Sequence, residues 1–204
     1  MAILITRIID MKKILSVALL AAMAASANAQ TRGKFTIWYG VNISNVEIKH
    51  EDYNSYENHY NTGSDFKPVN FGIDYTGDIK NNFHWTAGLS LQTKGAKGWN
   101  PKAVQIEGNI SYNFVHNTEF KLGVFLGPYI NVLANKDKDF AGDFAGYYEY
   151  NEEIETFGAG AQTGFVANCK ALQIKFGIEY SGTDIFKHAD SKPYSYYMRV
   201  GINL

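Results

Sequence analysis

Cysteine is nearly absent: the 204-residue chain has one, Cys169, so neither a disulfide framework nor a thiolate metal site can be built within it. Charge of one sign is absent too. The formal net charge is -1 and no concentrated basic face is visible, which excludes nucleic acid as a partner because phosphate binding needs one. No apolar run reaches the roughly 20 residues of a membrane-spanning helix, and no stretch of useful length has helical periodicity. What is abundant is glycine and aromatic side chains: 19 Gly, 14 Tyr, 13 Phe and 3 Trp, above ordinary globular usage.

The amino-terminal region reads as an address. Met11, Lys12 and Lys13 form a basic start, Ile14 to Ala25 an apolar run, and Ala27-Asn28-Ala29 a small-x-small site before Gln30. Together they predict a cleavable secretory signal peptide over 1–29, with 1–10 a mis-called start or a dispensable extension, and one domain over 30–204. No cysteine follows the apolar run, so a lipid anchor there is not expected.

From Phe35 onward the period is two. In FHWTAGLSLQTK, Phe83, Trp85, Ala87, Leu89 and Leu91 share one parity while His84, Thr86, Gly88, Ser90, Gln92 and Lys94 share the other, as a β-strand with two different faces requires. Eight such stretches recur, each near the roughly 9–11 residues of a tilted membrane-crossing strand. Their connections alternate long and short. The long ones are predicted over Glu47–Phe66, Ala96–Lys102, Asn135–Glu153 and Phe186–Pro193; the short ones include Ile79–Asn82, Val115–Thr118 and Asn168–Ala171. A soluble meander has no reason to sort its turns, whereas an outer-membrane barrel has short periplasmic turns and longer outer loops. The expected fold is all-β: an eight-stranded antiparallel up-and-down transmembrane β-barrel with both mature ends periplasmic. Pro128 falls within the fifth strand and predicts a bulge or a strand end there, since proline donates no ladder hydrogen bond.

One parity carries no Asp, Glu, Lys or Arg, and a basic residue on the lipid face at midplane costs roughly 2–4 kcal/mol. Ile37, Phe71, Trp85, Leu89, Ile106, Ile110, Leu122, Val124, Ile174, Phe176, Val200 and Ile202 are therefore read as facing lipid. Asp74, His84, Lys94, Glu107, Lys121, Lys175, Glu179 and Arg199 occupy the other parity and are read as a polar network in the barrel interior, with Glu179 and Arg199 as the expected ion pair. An eight-stranded barrel has an interior just wide enough for side chains to fill, so a packed plug is expected in place of a pore.

Six pieces, LQTKGAKGW, EGNISYNF, FLGPYINVLAN, FGAGAQTGF, FGIEYSGTDIF and YYMRVGINL, resemble in order and spacing the PorT-like outer-membrane β-barrel family common in Bacteroidetes. The resemblance covers nearly the whole mature chain. It implies an eight-stranded outer-membrane barrel, with some relatives tied to protein secretion. Gly108-Asn109 stands where relatives commonly carry a proline, and the chain ends on Leu204 where many barrels end on phenylalanine.

Chemistry is sparse. His50, His59, His188, Ser181 and Asp184 are the candidates for a rim enzyme acting on lipid or peptide, but no spacing sets a histidine beside a serine with a carboxylate behind it, as general-base catalysis needs. No catalytic residue, cofactor or metal site is assigned. Carboxylates and tyrosines interleave in the Glu47–Phe66 and Asn135–Glu153 loops, which suits contact with a protein partner. The remaining expected partners are outer-membrane lipid, lipopolysaccharide and the barrel-insertion machinery. Two other readings stand beside this one: a soluble exported lipocalin-like barrel, with the apolar parity inside around a ligand, and an outer-membrane lipid-modifying enzyme or protease.

Overall fold

The computed structural model describes residues 33–51, 57–61, 64–134, 154–187 and 190–204, with side chains left out at 48–51 and 57–61. The signal segment, the Asn135–Glu153 loop and His188 lie outside the described residues, as do the side chains of His50 and His59. Nine strands follow in order: β1 (Lys34–Glu51), β2 (Glu57–Asn61), β3 (Asp65–Lys80), β4 (Phe83–Thr93), β5 (Lys102–His116), β6 (Phe120–Leu133), β7 (Phe157–Cys169), β8 (Leu172–Ser181) and β9 (Asp190–Asn203). Eight of them, β1 and β3 to β9, pair antiparallel in sequence order, and β1 returns to β9 from Thr36↔Asn203 to Lys49↔Asp190. The sheet thus joins its own ends and leaves no barrel edge unpaired.

The ninth strand corrects one expectation. Where a loop was predicted from Glu47, β1 runs on to Glu51 and β2 folds back onto it from Glu47↔Asn61 to Glu51↔Glu57. The last strand likewise begins at Asp190, inside the predicted Phe186–Pro193 loop. The barrel wall is therefore taller at the long-loop end than the apolar alternation indicates, because backbone pairing between β1 and β9 continues where side chains turn polar.

Pro128 gives the second correction. It sits inside β6 with neither a strand end nor a register shift, since Glu107↔Tyr129 and Ile110↔Leu126 flank it in one register. Only the pairs that Gly108 and Asn109 would make with Pro128 and Gly127 drop out, while Pro128↔Ala161 holds on the other side. A strand residue donates its N–H to one neighbour, so proline interrupts one ladder and leaves the other intact.

Inside the wall, glycine makes room for large neighbours. A Cβ on Gly88 would lie 2.4 Å from the Asp74 carboxylate, and one on Gly72 2.6 Å from the Trp38 ring. Alternating small and large inward residues fills a narrow barrel in this way.

Gly127 and Gly108 provide a matched test of the wall. A Cβ at Gly127 would fall 1.8 Å from the Gly108 carbonyl oxygen, whereas one at Gly108 meets nothing within 4 Å. Gly127→Ala should lower the fraction of heat-modifiable folded barrel on unboiled gels, and Gly108→Ala should leave it unchanged.

Candidate functional site

The interior is a neutral cluster of charges. Asp74, Glu107 and Glu179 are buried with Lys94, Lys175 and Arg199, three of each sign. Arg199, 3% exposed, lies at its centre. Its Nη1 donates to both Glu107 oxygens at 2.8 and 2.9 Å, and its Nη2 to Glu179 Oε1 at 3.3 Å. The expected Glu179–Arg199 contact is thus the longer one, and the nearer carboxylate comes from β5 across the barrel. Lys175 Nζ donates to Glu107 at 2.8 Å, and Lys94 Nζ to Glu179 in a short contact. Gln105 Nε2 and Ser195 Oγ complete Glu179 at 2.8 and 3.3 Å. Asp74 accepts the Trp38 indole N–H at 3.0 Å.

Aromatic rings cover the cations. The Arg199 guanidinium lies 4.2 Å from the ring centroids of both Trp38 and Tyr197, Lys175 Nζ 4.5 Å from Phe125, and Lys94 Nζ 5.1 Å from Tyr129. Each desolvated contact of this kind contributes up to about 2 kcal/mol. Rings and carboxylates together replace the water these ions lose.

The other sequence-derived interior residues fall nearer the tight-turn end. His84 is buried against Asp78, with 2.6 Å between Nδ1 and Oδ1. Lys121 is only half-buried, opposite His116 beside the Asn117–Glu119 turn, and stands apart from the cluster. It shares the inward parity, but lies too far down the wall to join the cluster. All twelve residues read as lipid-facing lie half-exposed or exposed on the outer wall, Ile202 at 60%.

Lys67 was invisible to periodicity. By alternation with Val69 and Phe71 it belongs outside, yet it is fully buried. A register shift between Gly40 and Asn42 puts two outward residues, Pro68 and Val69, in succession and turns Lys67 inward. Its Nζ donates to Ala96 O at 2.9 Å, Trp99 O at 3.1 Å, Asp65 Oδ2 at 2.8 Å and, in a short contact, Asn100 Oδ1. Pro68 within an alternating run was the available signal.

That ammonium pins the β4–β5 loop over the barrel mouth. Gly95 and Gly98, with φ of 106° and 81°, let the loop double back on itself. Trp99 then packs with Phe186, ring centroids 5.9 Å apart, in a cluster with Val46, Ala96, Ala103, Leu133, Ile154 and Ile185. The mouth has an apolar lid over a charged interior. Between them lies a cavity of about 30 Å³ lined by Ser44, Lys94, Tyr129, Glu179 and Ser195 among others, room for about two waters.

The enzyme candidates that can be seen are occupied by backbone. Ser181 Oγ donates to Thr183 O at 2.8 Å and Asp184 Oδ1 accepts the Ser191 N–H at 2.9 Å. Both hydrogen bonds hold the β8–β9 loop.

No family profile and no curated protein matches the chain, so the PorT-like resemblance stays with the six sequence pieces that carry it. Among solved structures the chain is similar to Neisserial surface protein A, with TM-score 0.43 and 13% identity over 82% of this chain and 96% of that one. It is similar to Ail, the attachment invasion locus protein of Yersinia pestis, with TM-score 0.42 and 14% identity over 84% and 99%. The N-terminal β-barrel domain of Pseudomonas aeruginosa OprF gives TM-score 0.41 and 7% identity over 85% and 100%.

Glu107→Gln leaves Arg199 and Lys175 short of a counter-charge and should cost about 3–5 kcal/mol in urea unfolding from detergent micelles. Glu119→Gln removes only an exposed 3.5 Å pair with Lys170 and should cost about 0–1 kcal/mol.

Proposed function

We propose that this chain is an exported integral outer-membrane β-barrel, closed to general diffusion, whose tight-turn end is periplasmic and whose capped end faces outward. The observation that carries this reading is the sorting of the wall: large apolar side chains stand exposed on the outside, Leu126 at 64%, while the charges are turned inward. Monomeric soluble proteins rarely expose apolar patches beyond a few hundred Å². The lipocalin-like alternative needs the opposite sorting, with apolar side chains inside around a ligand, whereas this interior buries Asp74, Glu107, Glu179, Lys94, Lys175 and Arg199.

A non-enzymatic role of structural, interaction or secretion-accessory type is the reading best supported. Tyr194 and Tyr196, packed edge to face at 6.2 Å beside the long loops, support a contact role for the rim. Lys97 and Lys102 are exposed at the same end, which supports contact with lipopolysaccharide phosphates above the apolar belt. Such a barrel reaches its membrane through the barrel-insertion machinery.

Leu126→Arg separates membrane from water. In a bilayer it should cost roughly 2–4 kcal/mol and deplete the protein from the outer-membrane fraction. At an exposed site of a soluble barrel the same change stays within about 0.5 kcal/mol, so an undiminished folded yield would exclude the membrane reading. In planar bilayers the purified protein should show no steady conductance of porin size, and a large open level would overturn the closed interior.

A further inference from the structure

The tight-turn end holds a group of side chains that the charged interior does not use. Asp78 on β3 and His84 on β4 are direct cross-strand partners. A carboxylate only accepts, so the 2.6 Å contact with Asp78 sets the imidazole proton on Nδ1 and leaves the Nε2 lone pair free to act. His84 is 5% exposed, and its Nε2 is buried with no hydrogen-bond partner. Leaving such a group unsatisfied costs about 1–3 kcal/mol.

A second imidazole has been turned toward it. Along β5 the inward positions are Glu107, Asn109, Ser111 and Asn113, which would send His116 outward. A register shift between Asn113 and Val115 inserts one residue, after which Val115 pairs with the outer-wall Leu122 and His116 with Lys121 on the inward parity. Bulges at barrel rims re-aim side chains in this way. The result is His116 stacked on His84, ring centroids 6.2 Å apart and planes inclined at 28°.

We propose that His84 and His116 form a transition-metal site at the tight-turn mouth, taking Zn²⁺ or Cu²⁺ through two imidazole nitrogens, with Asp78 orienting His84 from behind. A carboxylate on the far ring nitrogen is the arrangement that fixes the tautomer of a metal-binding histidine and raises its basicity, and imidazole suits these ions. No group of three His, Cys, Asp or Glu side chains converges among the described residues, so the site offers two protein ligands and leaves the remaining positions to water. His116 is exposed and can swing to bring its nitrogen onto the ion. Lys121, opposite it, keeps the affinity moderate.

The test uses the untagged, detergent-solubilised chain with His50, His59 and His188 changed to Gln, which removes the other imidazoles. Zn²⁺ titration calorimetry should give one ion per chain, and Cu²⁺ electron paramagnetic resonance should show superhyperfine splitting from two imidazole nitrogens. His84→Gln and His116→Gln should each weaken binding at least tenfold and reduce the splitting to one nitrogen. Asp78→Asn should weaken binding by about 10–100-fold while keeping both nitrogens. Heat-modifiable mobility checks that each variant is folded, and His116→Gln, at an exposed position, tests the site even where His84→Gln does not fold. Absence of Zn²⁺ binding in the variant lacking His50, His59 and His188, or undiminished binding in folded His116→Gln, would overturn the site.

Discussion

The contact on which the interior depends is Arg199 held between Glu107 and Glu179. A guanidinium taken out of water is tolerated only where geometry returns its lost solvation. Here two carboxylates take its hydrogen bonds and two rings cover its faces. Because Glu107 comes from β5, Glu179 from β8 and Arg199 from β9, this one side chain ties opposite walls of the cylinder together. Lys94 and Lys175 then neutralise what one arginine leaves over.

The barrel inverts the usual order of a soluble protein at one end and keeps it at the other. Along the wall, apolar side chains stand outside and ions inside. Above the wall, Trp99, Phe186, Ile185 and Val46 bury one another as any water-soluble core does. On the proposed membrane placement, the difference follows from the solvent. In hydrocarbon there is no gain in gathering apolar groups inside, whereas at a mouth facing water the hydrophobic effect of about 25 cal/mol per Å² returns. The Lys67 ammonium and its carbonyl partners mark the join between the two regimes.

Local departures from alternation decide where side chains with chemistry end up. The irregularity at Gly40/Asn42 carries Lys67 inward, and that at Asn113/Val115 does the same for His116. Each adds one residue to one strand, which reverses every parity beyond it. Pro128 costs a ladder contact without shifting register, so the side chains past it keep their faces.

The chain by itself determined strand existence, strand number in the wall and the face each regular position takes, because a period of two is a property of a few consecutive residues. The sorting of twelve outer positions and of Asp74, Lys94, Glu107, Lys175, Glu179 and Arg199 was legible on that ground. Tertiary structure alone decided which carboxylate meets which cation, that Lys121 stays out of the cluster, and that Lys67 and His116 turn inward. It also decided that β1 and β2 extend past the apolar belt and that a lid closes the mouth. These depend on closure, on stagger between neighbouring strands and on single-residue bulges. Such quantities sum over strands far apart in sequence and leave no periodic mark on any one of them.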